Sequence, residues 1–450
     1  MALPPISLSP DHLGITRTVL GLPDAHTLDT ASRLLQKNHD ELNMFWRDAG
    51  GHNHIVHSIL TAVAFGGSAA DVQRAYDDGV DTQRPRVPAN PQLASQLSDP
   101  VVFAAHMGDL AQYTTFLAFF EQLIREQGSW RPVVAEYYFG RTALADTMLA
   151  RLFEGLFHPL IHLGLGIEFD LPAVVAEALA MTACHNSDGI DNFFFECERI
   201  ASATSASPSK PLVVLLNETR ANDKIRHATL PTDGPACVKD GVLGRAGPEM
   251  AALAAQYCVA PDNAGLRRAT AEGISCAAYT AGASAQRPGK RNPVIDFFYL
   301  HNVTSSIFLT VLGRQEWINV ADRARLVEWK ARLDLVWYAA SAAAALDREA
   351  LLRYTPGPSA GMGWPELYRA VLAQHDDGHL AKFVRALKHG QDVEEEDGGD
   401  RIQDYDVLPV RGELWLRIAQ MAYDSTVDKV EVLDKWVFGT GFDDRWAGRL

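Results

Sequence analysis

Cysteine is scarce in this chain, basic charge is in deficit, and no long uncharged apolar run occurs. The five cysteines, Cys184, Cys197, Cys237, Cys258 and Cys276, are odd in number and never stand at CxxC spacing. That excludes a disulfide framework or a zinc ribbon, and reduced thiols fit an intracellular, cytoplasmic protein. Lys plus Arg number 41 against 56 Asp plus Glu, a formal net charge of -15. Such a balance argues against nucleic acid or an anionic membrane as partner, because both attract basic surfaces. The most apolar stretch, LARLFEGLFHPLIHLGLGI, carries charge and histidine, so it reads as a buried core helix rather than a membrane span. The opening MALPPISLSPDHLGITRTVLG lacks a basic segment followed by an apolar core, and no secretory signal is expected.

Several cofactor and nucleophile signatures are also missing. The nearest approaches to GxGxxG, at Gly164–Gly166 and Gly361–Gly363, lack the third glycine, and the phosphate-binding P-loop and HEXXH are absent. Gly357-Pro-Ser359-Ala-Gly361 has the spacing of a nucleophile elbow. It follows Tyr-Thr-Pro between helical stretches, whereas an elbow needs a strand before it, so it reads as a turn.

What is present is helical patterning. With 47% hydrophobic and 22% charged residues, the 450-residue chain can bury a sizeable core. Apolar periodicity predicts helices over 29–47, 54–65, 69–78, 99–127, 142–165, 171–185, 248–258, 264–279, 296–312, 320–346, 378–388 and 411–438. Thr27 or Asp29 is the expected first cap, and Gly66–Gly67 the expected stop of the second helix. PLVVLLNETR is too short to assign to strand or helix. The expected architecture is all-α: a large single-body helical fold with long connecting loops over 1–450, a sub-division near 203–213 and a solvated acidic loop at 391–403. Aromatic runs at Tyr137–Phe139, Phe193–Phe195 and from Phe297 would line a flat pocket only if they lie near the histidines.

The histidines are the most informative residues. His54 and His57 are spaced i, i+3; His158 and His162 i, i+4; His379 and Lys382 i, i+3; His301 stands alone in DFFYLHNVTSSIFL. On a helix such pairs share a face, with Cβ atoms about 5–6 Å apart. Each lies in an apolar segment, so the faces should point inward, where ring nitrogens need partners. One such histidine alone reads as a hydrogen-bonded core residue; several from separate segments suit a shared metal ion. Imidazole suits iron, zinc, copper or nickel, and spacing does not choose. Asp296, Glu136 and Glu168 are the carboxylates that might add oxygen ligands, and His375 extends the face of His379.

GHNHIVHS before an apolar helix ending in GGS, then HPLIHLGLGIEF, DFFYLHNVTSSIFL and DDGHLAKFVRAL, resemble the questin oxidase-like family in order and residues, over about Asn38 to Leu387. The resemblance implies oxidative ring opening of an anthraquinone-type polyketide to a benzophenone-type product. Two descriptions attach to it: an NADPH-dependent Baeyer–Villiger-type oxidase, and a non-haem iron dioxygenase using Fe(II) and O2 with four histidines and a carboxylated lysine. Carried onto this chain, the lysine is Lys382. The ligand set with one histidine per segment is His57, His158, His301 and His379, leaving His54 and His162 to move substrate protons; two ligands from the 158/162 helix is the rival set. A metal-free helical binding protein is the alternative from another class.

Overall fold

The computed structural model describes residues 3–15, 20–47, 51–203, 209–290, 292–396 and 407–447. It is 66% helical, with 21 α-helices among the described residues, and the chain is all-α. Among the described residues the only strands are two-residue segments, Ile295–Asp296 paired in parallel with Trp436–Val437. The chain divides into two compact units. One comprises Met1–Ser187 with the returning segments Arg314–Ile318 and Asp377–Lys382; the other comprises Asp188–Gly313, Asn319–Asp376 and Phe383–Leu450. No helix among the described residues is long and apolar enough to cross a membrane.

In the first unit the Pro172–Cys184 helix packs against Glu154–Glu168 and Tyr113–Gln127. Its residues from Ala173 to Cys184 are all buried. A helix covered on every side has no polar face to solvate, so its one acid, Glu177, must find partners inside. Ala25–Glu41 begins earlier than expected, because Asp24 is its cap and accepts from the Thr27 amide. Ile55–Phe65 is wholly buried and stops at Gly66, whose φ is 79°. Burying its Ile59, Leu60, Val63 and Phe65 side chains stabilises the unit by roughly 1.5–3 kcal/mol each.

The stretch expected as one helix over 142–165 is two. Ala143–Arg151 ends, and Glu154–Glu168 contains Gly155, Leu156 and Phe157 at φ 54°, 57° and 64°. Left-handed backbone costs a non-glycine residue about 1–2 kcal/mol, and here it falls directly before His158.

In the second unit Asn263–Ala283, Phe297–Gly313 and Val320–Ala340 pack on one another. PLVVLLNETR contributes the helix Leu212–Ala221. The acidic stretch begins inside the His379–Glu396 helix, and 397–403 of the expected acidic loop lie outside the described residues. So do 204–208 of the expected linker. The segment around Ser359 is a turn, as expected, and the amides of Gly357 and Ser359 both donate to the Asp424 carboxylate at 2.7 Å. Asp296 spends its carboxylate on the Thr440 amide (2.6 Å), the Thr440 hydroxyl (3.0 Å) and the Phe298 amide (2.9 Å).

Candidate active site

Five segments of the first unit bring imidazoles together. Asn53 ties the first of them down: its amide nitrogen donates to Asn38 Oδ1 at 2.8 Å, and its Oδ1 accepts from the Ile55 amide at 2.9 Å. His52, His54 and His57 follow from this short segment and the Ile55–Phe65 helix. The left-handed turn at Gly155–Phe157 presents His158, and His162 follows one turn later. His185 closes the Pro172–Cys184 helix, and His379 and Lys382 come from the returning segment.

Asp377 and Gly378, at φ 59° and 71°, form the turn that opens it. A Cβ on Gly378 would lie 2.2 Å from Ser58 Oγ, so only glycine lets this turn approach the Ile55–Phe65 helix.

The rings form a stack. His52 lies on His158 with centroids 4.1 Å apart and planes at 6°, and His54 lies 4.8 Å from His158. His379 meets His54 edge-on at 4.8 Å, and His57 lies 5.5 Å from His54 and 5.2 Å from His162. His52 Nε2 is 3.2 Å from His185 Nε2. A Cβ on Gly155 would fall 2.2 Å from His185 Nε2 and 2.8 Å from His52 Cε1, which is why glycine stands there.

Hydrogen bonds assign two tautomers. His54 Nδ1 is 2.5 Å from Asp377 Oδ2, and His158 Nδ1 is 2.5 Å from the Gly155 carbonyl. Both partners only accept, so both Nδ1 atoms carry the proton. The two Nε2 atoms of the neutral rings then bear lone pairs, and they face each other at 2.6 Å. Two lone pairs at that distance repel unless a cation, a proton or a metal, sits with them. Ligand-capable atoms of His54, Asp377 and His379 also lie within 4.8 Å of one another. The donor set fits a transition metal, for which imidazole and carboxylate are ordinary ligands.

Burial, and after it the Lys382 charge, hold His57 well below the ordinary 6.5. Lys382 itself is buried. Burial lowers His185 to about 4. His39 behaves oppositely. Burial would lower it, but hydrogen bonds to Glu121 (2.9 Å) and Glu177 (2.7 Å) raise it to about 10. Glu177 is lowered to about 2 in spite of burial by its bonds to His162 (2.7 Å) and His39.

Of the residues singled out from sequence, His54, His57, His158, His162, His379 and Lys382 belong to this unit. His301 lies on Phe297–Gly313 of the second unit, where its Nδ1 donates to the Phe297 carbonyl at 2.7 Å. The three carboxylates named from sequence serve elsewhere: Asp296 binds Thr440, Glu168 accepts from the Ile15 amide, and Glu136 is exposed. Asp377, Glu177 and Glu121 are the acids bonded to imidazoles in this unit among the described residues. His52, His185, His39 and Glu177 were not singled out; the visible signal for Glu177 was a lone acid inside an apolar helix. Tyr137 packs into a core cluster with Phe103, Phe119 and Phe120, and Phe194 stacks on Trp329 at 4.4 Å in the second unit. The aromatic ring beside His52 and His185 is instead Phe45, at 5.5 and 5.9 Å.

Residues 51–387 match the family described as questin oxidase-like. The chain is 51% identical over 442 residues to the Baeyer–Villiger oxidase ptaJ of Pestalotiopsis fici, covering 98% of this chain and 97% of the relative. It is 50% identical over 446 residues to a questin oxidase of Aspergillus terreus, covering 98% and 97%. It is 49% identical over 450 residues to the Baeyer–Villiger monooxygenase dmxR6 of a Cryptosporiopsis species, covering 99% and 98%.

Proposed function

This chain belongs to the questin oxidase-like family, and from that membership and its imidazole stack we propose that it is an iron-dependent oxygenase. It cleaves a ring C–C bond of an anthraquinone-type polyketide to a benzophenone-type product. The observation that carries the iron reading is the 2.6 Å approach of His54 Nε2 to His158 Nε2, which a cation between the two rings stabilises. The relatives' names, questin oxidase and Baeyer–Villiger oxidase, support the substrate class and the oxidative chemistry.

The residues that would hold the metal are His54, His57, His158 and His379, with Lys382 as its carbamate. This set is drawn from the first unit alone; it adds His54 to the ligands and leaves out His301 of the second. A bound ferrous ion supplies the one-electron chemistry that lets O2 react. Asp377 and the Gly155 carbonyl fix the rings of His54 and His158, an arrangement that commonly raises affinity 10–100-fold, roughly. The imidazoles are buried, which keeps bulk water from the reacting groups. Lys382 is buried, and its amine is the group that would carry the carbamate. The amine would add CO2 by forming an N–C bond and releasing one proton, which would turn a neutral nitrogen beside His57 into an anionic oxygen donor.

The test is elemental analysis and turnover of purified protein before and after chelation. Stoichiometric iron, loss of ring opening on chelation and recovery with Fe(II) are expected; full activity in metal-free protein overturns the reading. A second reading, an NADPH-dependent Baeyer–Villiger-type monooxygenase, has the relatives' names in its favour. It predicts a strict NADPH requirement even with substrate reduced beforehand.

A further inference from the structure

The Glu177 carboxylate is almost fully buried, with 1% of its side chain exposed, and it bridges two histidines. Its Oε1 is 2.7 Å from His39 Nδ1 and its Oε2 is 2.7 Å from His162 Nε2. His39 Nε2 continues to Glu121 Oε1 at 2.9 Å, and His162 Nδ1 continues to His57 Nε2 at 3.1 Å. The path Glu121–His39–Glu177–His162–His57 takes one residue from each of five helices, and its outer carboxylate is partly exposed. It ends at His57 Nδ1, a buried atom with no hydrogen-bond partner among the described residues.

We infer that Glu177 is a positioning residue which, through His162, fixes the ring proton of His57 on Nε2 and leaves Nδ1 as a buried electron-pair donor. An ionised carboxylate only accepts hydrogen bonds. His162 Nε2 therefore carries its proton, and in the neutral ring Nδ1 bears the lone pair. That lone pair accepts from His57 only if the His57 proton is on Nε2. His57 Nδ1 is then an unprotonated donor, the same electronic state that Asp377 and Gly155 impose on His54 and His158 by shorter routes.

His39, held between Glu177 and Glu121, sits in the last turn of Ala25–Glu41, where the helix dipole favours a cation. Buried ionic chains of this kind are weak sources of stability, so packing alone does not explain five residues committed to one ring nitrogen.

The purpose assigned to the chain rests on the metal reading; the tautomer does not. The experiment uses full-length, chelator-treated protein labelled with 15N-histidine. Ring nitrogen shifts are assigned with His57→Gln and His162→Gln variants, and Co(II) affinity is measured alongside. Wild type is expected to show His57 and His162 each protonated at Nε2 alone. In Glu177→Gln the amide can donate to His162 Nε2, so both tautomers are expected to invert and Co(II) affinity to fall about 10–100-fold.

A wild-type His57 protonated at Nδ1 overturns the inference, even if Glu177→Gln fails to fold. So does a wild type that binds Co(II) together with a Glu177→Gln protein that binds it equally well. Wild-type protein that shows the expected tautomers, loses them in Glu177→Gln, yet binds neither Co(II) nor Fe(II), keeps Glu177 as the positioning residue and removes the metal reading.

Discussion

Lys330 in the second unit and His57 in the first are both fully buried ionisable residues on helices, and they are satisfied differently. Lys330 Nζ reaches Asp334 on the next turn of its own helix at 2.6 and 2.7 Å, and the Asn302 carbonyl at 3.1 Å. Its charge is cancelled within one turn, and burial brings Asp334 up to about 6. His57 reaches a ring on another helix, and through it an acid on a third. The first arrangement closes on itself. The second leaves a donor atom directed by a chain of partners yet not consumed by them, as expected where a ligand is to be bound rather than a helix pinned.

Replacing the inner rings should break that contrast most sharply. His158→Asn and His54→Asn are expected to lower iron content and ring-opening turnover by about 100-fold or more, while far-ultraviolet circular dichroism stays at the wild-type level. Retained iron with unchanged turnover would show these rings to be as structural as Lys330. The reverse pattern is expected for Lys330→Met, which strands Asp334 in the interior. It should cost about 3–5 kcal/mol, read as a lower urea midpoint, with iron per folded chain unchanged.

Gly155→Ala adds a methyl group to a left-handed residue and aims it at His185 Nε2 and His52 Cε1. About 1–2 kcal/mol of backbone strain is expected, with a metal affinity loss greater than that of Gly128→Ala. Gly128 also has positive φ but nothing within 4 Å of an added Cβ. Equal affinities in the two variants would detach the imidazole stack from metal binding.

The smallest effect expected is in pH dependence. His39 is raised to about 10, so its contribution is complete below pH 6.5 and is lost as pH rises toward 10. His185 is lowered to about 4, so its contribution is present above pH 6.5 and is lost as pH falls toward 4. The urea midpoint of the chelated protein should therefore decline on both sides of neutrality. His39→Gln should flatten the alkaline limb alone, and an unchanged alkaline limb would remove His39 as its source.

Much of this was legible in the residues. Apolar spacing marked the helices that carry His57, His162, His301 and Lys382, because a buried face repeats with the helical period. Gly66 as a stop was legible because positive φ selects residue type. The break at Gly155–Phe157 was not, since Leu156 and Phe157 adopt a conformation that their side chains disfavour and only packing imposes. Nor was the bonding of Glu177 to His39, 138 residues away. Helical periodicity reports which face is buried but not which helices meet. Asp24 was passed over as a cap for Thr27, three residues on, because periodicity places a helix start only to within a turn.

The bond from His54 to Asp377 joins residues 323 positions apart. At roughly 5–20 residues per second, a ribosome needs on the order of tens of seconds to supply the second partner after the first. Until then the other imidazoles have neither that carboxylate nor His379 and Lys382 beside them. Chain synthesis therefore sets the order of events: the nascent protein carries most of its histidines long before Asp377, His379 and Lys382 can join them.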